Sequence, residues 1–274
     1  DENLKVELKE IKLILDPFKF KLQAKTIGTN LKNQSKKIEI ENIKTQLSLK
    51  SLIEGKFSIE NLEISSKSLE LKNLISFLRS FQNSPELFLL EKVIKKGYLI
   101  SDIKLEFDSS GNIKNNYEIN GLIKDAELNV LKNYNLKKVD LIFNYKKNNF
   151  LVKDLNYKLN NIEFISEKVV IKKKKDNFSV NGTIAHKKSD LDKRNINLLI
   201  KPFFPNFEIE KILFSSDNNF SFEIEKGFKF GNFKINSDIL IHQLSVPNNL
   251  KLKKFFPKQK KTISFLNQKL KLQY

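Results

Sequence analysis

Cysteine, methionine and tryptophan are absent from the 274 residues, and glycine (8), proline (6) and histidine (2) are scarce. Without cysteine there are no disulfides and no thiolate metal sites. The compartment stays open on that ground, because a periplasmic protein of this size folds without cystines. Lacking even an initiating methionine, the chain reads as a segment of a longer protein, so the absence of a leader or anchor within it says nothing of the parent. No apolar run approaches the ~20 residues that span a bilayer as a helix. The two histidines, His186 in a polar stretch expected to be a loop and His242 near a strand end, show neither HxH nor HxxxH spacing, and no metal site is expected. There is no GxSxG, no phosphate-binding loop and no GxGxxG behind a strand. Gly227 and Gly231 stand too far apart for a phosphate loop. Glu223 and Glu225 share the wet side of an alternating strand rather than a buried cleft, which does not make an acid/base dyad. Neither an enzyme nor a cofactor is expected.

What the chain has instead is alternation. From Lys37 to Leu71 apolar residues fall at every second position in short blocks: Ile38 and Ile40, Leu47 and Leu49, Phe57 and Ile59, Leu62 and Ile64, Leu69 and Leu71. A period of two puts each block on one face of a β-strand and turns the intervening Lys, Glu, Ser and Asn to the other. Glu54-Gly55-Lys56 and Ser65-Ser66-Lys67 are the right length for hairpin connections. One face of this meander is apolar and the other is polar.

The pattern repeats on both sides. Residues 4 to 24 alternate in three blocks, Leu4, Val6 and Leu8, then Ile11, Leu13 and Leu15, then Phe18, Phe20, Leu22 and Ala24, with a bend at Asp16-Pro17 and parity shifts that turns or bulges must absorb. Over residues 72 to 82 the period changes: Leu74, Phe77, Leu78 and Phe81 make the apolar stripe of a short helix, which plugs one end of the sheet or docks a partner, and Asn83-Ser84-Pro85 ends it. Strands return with Ile103, Leu105 and Phe107, an Asp108-Ser-Ser-Gly111 turn, then Leu128 and Val130, Leu141 and Phe143, Tyr157, Phe178 and Val180. Ile196, Leu198 and Ile200 read as a further strand. The meander continues through Phe220, Phe222, Ile224, Phe233, Ile235, Ile239 and Ile241, and a short helix is expected around Ile263 to Leu266. By this spacing the chain holds roughly sixteen to eighteen strands. The fold class is all-β with one or two short helices, a long antiparallel meander curled into an open groove that runs over residues 1–274. The alternating residues named here from Ile38 to Ile241, without the helix stripe and without Ile196, Leu198 and Ile200, are the expected lining of its apolar face.

Fifty Lys and Arg against 32 Asp and Glu give a net charge of +18, nearly all of it lysine. Either this is the solvated face of many strands, or it draws the chain to an anionic surface. The 23 phenylalanines interleave with lysine, as in a sheet that stacks nucleobases. Alternation, however, sends phenylalanine and lysine to opposite faces, so they do not meet on one nucleotide. Nucleic acid is not an expected partner.

The stretch Ile38 to Ile53, followed by Gly55 to Ile64 and Leu69-Glu70-Leu71, resembles the AsmA-like family of bacterial envelope proteins, the group of AsmA, TamB and YhdP. The likeness lies in an alternating strand, a Ser-Leu-Lys-Ser-Leu-Ile and Gly-Lys turn, an Ile-x-Asn-Leu-x-Ile strand and a Leu-x-Leu strand. Val180 to Ile184 and Phe220 to Ile241 echo it more weakly, and the specific part covers about a seventh of the chain. The resemblance implies a β-groove akin to the bridge-like lipid transfer proteins. It also implies a periplasmic location, an inner-membrane anchor outside this segment, and phospholipid carried between inner and outer membranes. A further chain of the same protein is an expected partner. Two other classes stand beside it: a partner-binding or structural β-sandwich with a dry core, and an outer-membrane barrel, which the lack of tryptophan girdles disfavours.

Overall fold

The computed structural model describes residues 4–56, 59–82, 84–131, 134–174, 177–191, 193–199, 201, 205, 208–225, 229–249, 252–258 and 261–274. Phe57, Ile200 and the side chain of Val130 lie outside them. Alternation builds the strands β1 (Leu4–Glu7), β2 (Glu10–Asp16), β3 (Lys21–Ile27), β4 (Thr29–Asn33) and β5 (Lys36–Ser48). Helix α1 (Leu49–Ile53) precedes β6 (Ile59–Ser66) and β7 (Leu69–Glu70), and α2 (Leu71–Arg79) and α3 (Pro85–Val93) follow. Six long strands come next: β8 (Ile94–Glu106), β9 (Glu118–Leu131), β10 (Tyr134–Lys146), β11 (Asn149–Leu159), β12 (Ile162–Lys174) and β13 (Asn177–Leu191). After α4 (Lys193–Leu199) the chain ends in β14 (Lys211–Glu225), β15 (Lys229–Pro247) and β16 (Thr262–Gln273).

All sixteen strands belong to one sheet, in the order β1-β4-β5-β6-β8 and then β9 to β16 in sequence, with β2 on β3, β3 on β5 and β7 on β8. Each register described is antiparallel. The path has two ends and does not close into a barrel, so the all-β meander expected from the alternation is present. Its connections follow turn chemistry. Lys147-Asn148 and Asn160-Asn161 have paired positive φ values, as two-residue hairpin turns require. The Asp108 carboxylate accepts from the backbone N–H groups of Ser110 and Asn112, both at 2.9 Å, and Gly111 takes φ +83°. The sheet's residues divide into two units, Asp1–Val130 with Lys138–Lys153, and Leu131–Lys137 with Asp154–Tyr274.

Four local expectations are corrected. The helix expected over 72–82 is α2, and Leu71 opens it instead of closing a strand. Leu49 belongs to α1, because the Ser48 hydroxyl accepts from the Ser51 N–H at 3.2 Å and caps a helical turn. Ile196 and Leu198 sit in α4, where Ile196 packs with Ile162, Leu191 and Ile212 into the core of the second unit. Residues 263–266 are strand, paired along β15. In addition, Ser84-Pro85 starts α3, with Ser84 Oγ accepting from the Leu87 N–H at 3.3 Å, so the break after α2 is also a helix start.

Candidate functional site

In the first unit the ladders set apolar residues side by side across strands. Leu13, Ala24, Thr45, Leu62 and Leu105 are successive partners on β2, β3, β5, β6 and β8. Leu15, Leu22, Leu47 and Ile59 form a second row, and Ile43, Ile64, Ile103 and Ile119 a third. Partners in a ladder point to the same side of the sheet, so these rows form one continuous apolar face. The row beside them is the reverse: Lys12, Lys25, Lys44, Glu63, Lys104 and Glu118 pair in turn on the opposite face.

The second unit repeats the arrangement. Ile171, Val180 and Phe222 are ladder partners, as are Phe178, Ile224 and Phe230, and Phe220 and Ile235 extend the face. Ile239 pairs with Leu270, and Ile241 with Phe214. Aromatic rings cluster along it: Phe222 lies 5.7 Å from Phe230 and 6.4 Å from Phe233, which lies 6.1 Å from Tyr274. Opposite, Asn181, Ser221 and Lys234 form a polar row, and so do Thr183, Asn219 and Asn236. In each unit an aromatic from the next strand lies over a glycine. Phe143 covers Gly121 and Phe220 covers Gly182, where an added Cβ would come within 2.7 and 2.9 Å of the rings. Small residues there let the rings lie flat on the sheet.

One end of the first face is roofed. Helix α2 lies on β5, β7 and β8, and Phe77, 4% exposed, packs with Ile38, Ile40 and Leu69, while Leu71 is buried in the helix itself. Those four expected lining residues therefore belong to helix packing, with Ile43 and Ile64 packed against the same cluster, and Leu49 belongs to α1. Over the remaining rows the strand pairs in close contact are ladder neighbours, the described strands all join one sheet, and the apolar side chains stay largely half-buried or exposed. Leu47, Ile59, Leu62, Ile103 and Leu105 are half-buried there, as are Phe220, Phe222, Ile224, Ile235 and Ile239. Phe178 and Phe233 are exposed, and Val180 and Ile241 are buried between neighbours on the sheet. Leu128 pairs with Ile94, Leu141 and Phe143 lie two apart on β10, and Phe107 bridges to Ile113.

No family model, curated protein or solved structure matches this chain. The geometry of the face therefore carries the functional argument.

The titratable groups are placed away from that face or sealed within it. Glu118 accepts from Lys146 Nζ at 2.9 Å and from Asn120 and Asn144 at 3.0 Å, which holds its carboxyl below the usual range. Asn232 and Lys174 do the same for Glu223. Both carboxylates sit among polar partners on the wet side. Burial pushes the Tyr157 hydroxyl up to about 12, and its ring stacks on Phe164 at 5.4 Å.

His186 corrects an expectation. It is not a loop residue but 3% exposed on β13, its ring between Phe164 and Phe214 at 5.2 and 4.6 Å. Its Nδ1–H donates to the Glu163 carbonyl at 2.7 Å and Nε2 accepts from the Ser189 hydroxyl at 2.9 Å, so both ring nitrogens are satisfied. A register shift between His186 and Ser189 brings this about, and no local sequence signal marks it. The wider face, including Leu13, Leu15, Leu22 and Leu270, was readable from alternation.

Proposed function

We propose that the protein is a non-enzymatic lipid carrier whose sheet holds acyl chains against its apolar face. The observation that carries this reading is that, in each unit, apolar ladder rows of a single open sheet stay largely half-buried or exposed. Soluble proteins rarely expose more than a few hundred Å² of contiguous apolar surface. A face of this kind calls for a hydrophobic guest. A sixteen-carbon acyl chain gains on the order of 12 kcal/mol on leaving water, at ~0.8 kcal/mol per methylene. That attraction is indifferent to position along the rows, so a lipid is held yet free to slide, with its headgroup at the wet margin where lysines meet phosphate.

The likeness to the AsmA-like family supports phospholipid as the cargo, the bacterial periplasm as the place, inner and outer membranes as donor and acceptor, and an anchor outside this segment. The sandwich alternative needs a second sheet to close a dry core, whereas the described strands all join one sheet.

The test is to place a charge on the face. Leu105→Lys and Phe222→Lys, purified without detergent, should each carry markedly less phospholipid than the parent protein. Equal lipid content in parent and variants, or none in the parent, overturns the proposal.

A further inference from the structure

The unroofed end of the first unit's apolar face finishes in an exposed apolar tip. Between β2 and β3 the chain turns through Asp16-Pro17-Phe18-Lys19-Phe20, tied by the Lys19 N–H donating to Asp16 Oδ1 at 3.1 Å. Phe18 is 95% exposed, and Leu15 and Phe20 are exposed as well. The Leu49 N–H donates to the Phe20 carbonyl at 3.1 Å, which sets α1 beside the turn. There Ile53 is 83% exposed and Leu52 also faces solvent. Phe20 holds φ +50°, a left-handed conformation that is rare for a bulky residue. Strain of this sort persists where the surroundings impose it, and it accumulates at functional sites.

This tip continues the row Leu15, Leu22, Leu47 and Ile59, at the end of the sheet away from α2. A further strand laid on the β2 edge would pair its backbone and leave Phe18 and Ile53 uncovered. Residues 10–21 and 48–60 hold five lysines (Lys12, Lys19, Lys21, Lys50, Lys56) against four acids, Glu10, Asp16, Glu54 and Glu60. Each of the four acids is paired with a lysine, while Lys50 has no carboxylate partner among the described residues. Apolar side chains at the apex beside the unpaired Lys50, on a chain of net charge +18, match a bilayer interface bearing anionic headgroups.

We infer that this tip, formed by the β2–β3 turn and α1, docks the open end of the face onto an anionic phospholipid bilayer. The inference rests on the lipid-carrier reading for its purpose, since it puts the mouth of the face where lipid is. Its test is independent of that reading.

The chain contains no tryptophan, so Phe18→Trp introduces a lone emitter. With phosphatidylcholine vesicles containing phosphatidylglycerol its emission should shift to the blue, be quenched by brominated acyl chains, and respond less at high salt. Adding Ile53→Ser should weaken vesicle partition by about tenfold or more. Emission that ignores vesicles overturns the inference, as does a blue shift that follows protein concentration in their absence, which would assign the tip to a second copy of the chain. Lipid already bound to the protein is measured separately by native mass spectrometry: bound lipid without a vesicle response sinks the docking inference alone, and a vesicle response without bound lipid sinks the carrier reading alone.

Discussion

Truncating one phenylalanine under the roof and one on the open face separates a covered sheet from an uncovered one. Phe77 is 4% exposed and packs on Ile38, Ile40 and Leu69, with Phe81 edge-on at 5.1 Å. Phe77→Ala loses the buried ring and leaves a cavity, a cost of about 3–5 kcal/mol. In a unit of this size that lowers the melting temperature by roughly 10 °C. Phe233 is 49% exposed. It surrenders about half of the ~1.5–3 kcal/mol that full burial of such a side chain supplies, or about 1 kcal/mol, with no closed cavity left because the ring is half exposed. Thermal and urea denaturation of delipidated protein, followed by circular dichroism, measures both. Should Phe233→Ala destabilise as much as Phe77→Ala, the open face is in fact covered by polypeptide and the reasoning fails.

Other predictions rest on single sites. Gly121→Ala should destabilise by about 1–3 kcal/mol, against the usual gain from replacing glycine in a strand, since the new Cβ meets the Ile100 carbonyl oxygen at 2.7 Å and the Phe143 ring. A neutral or stabilising result in urea melts would contradict the close approach. Tyr157 has a folded pKa raised from 10 to about 12, so its contribution is complete below pH 10 and is lost as pH rises toward 12, by up to about 2–3 kcal/mol. Tyrosinate absorbance should therefore show one of the six tyrosines titrating last, and Tyr157→Phe should remove that step. His186→Leu should cost about 1–3 kcal/mol by removing both buried ring hydrogen bonds, to the Glu163 carbonyl and from the Ser189 hydroxyl, an effect that equal stability in denaturant would refute.

The sheet was legible because a half-wet strand must alternate, and from Ile38 to Ile241 it does. The strand count near sixteen and the single apolar face follow from that period. Where alternation and helix periodicity share residues, the sequence was ambiguous: Leu47-Ser48-Leu49 alternates, yet the Ser48 cap turns Leu49 into α1. Likewise Ile196 and Leu198 alternate but lie on α4, where Ile196 fills a core. Parity shifts were expected, but their places were hidden, because the chain takes positive φ at Asp125, Lys138, Asp154 and Asn267 inside strands without glycine to mark them. The roof over Ile38, Ile40 and Leu69 was half legible: the stripe Leu74, Phe77, Leu78 and Phe81 announced a helix, while the strands that it covers depend on long-range pairing. The tip escaped notice for a simpler reason, since Phe18 and Phe20 alternate like any strand and only the three-dimensional turn exposes them.

Native mass spectrometry of protein purified without detergent addresses the central claim most directly. The account predicts adducts with phospholipid masses that are retained under gentle activation and released as the ion is heated. A bare polypeptide mass, obtained under conditions where other lipid carriers keep their cargo, contradicts it.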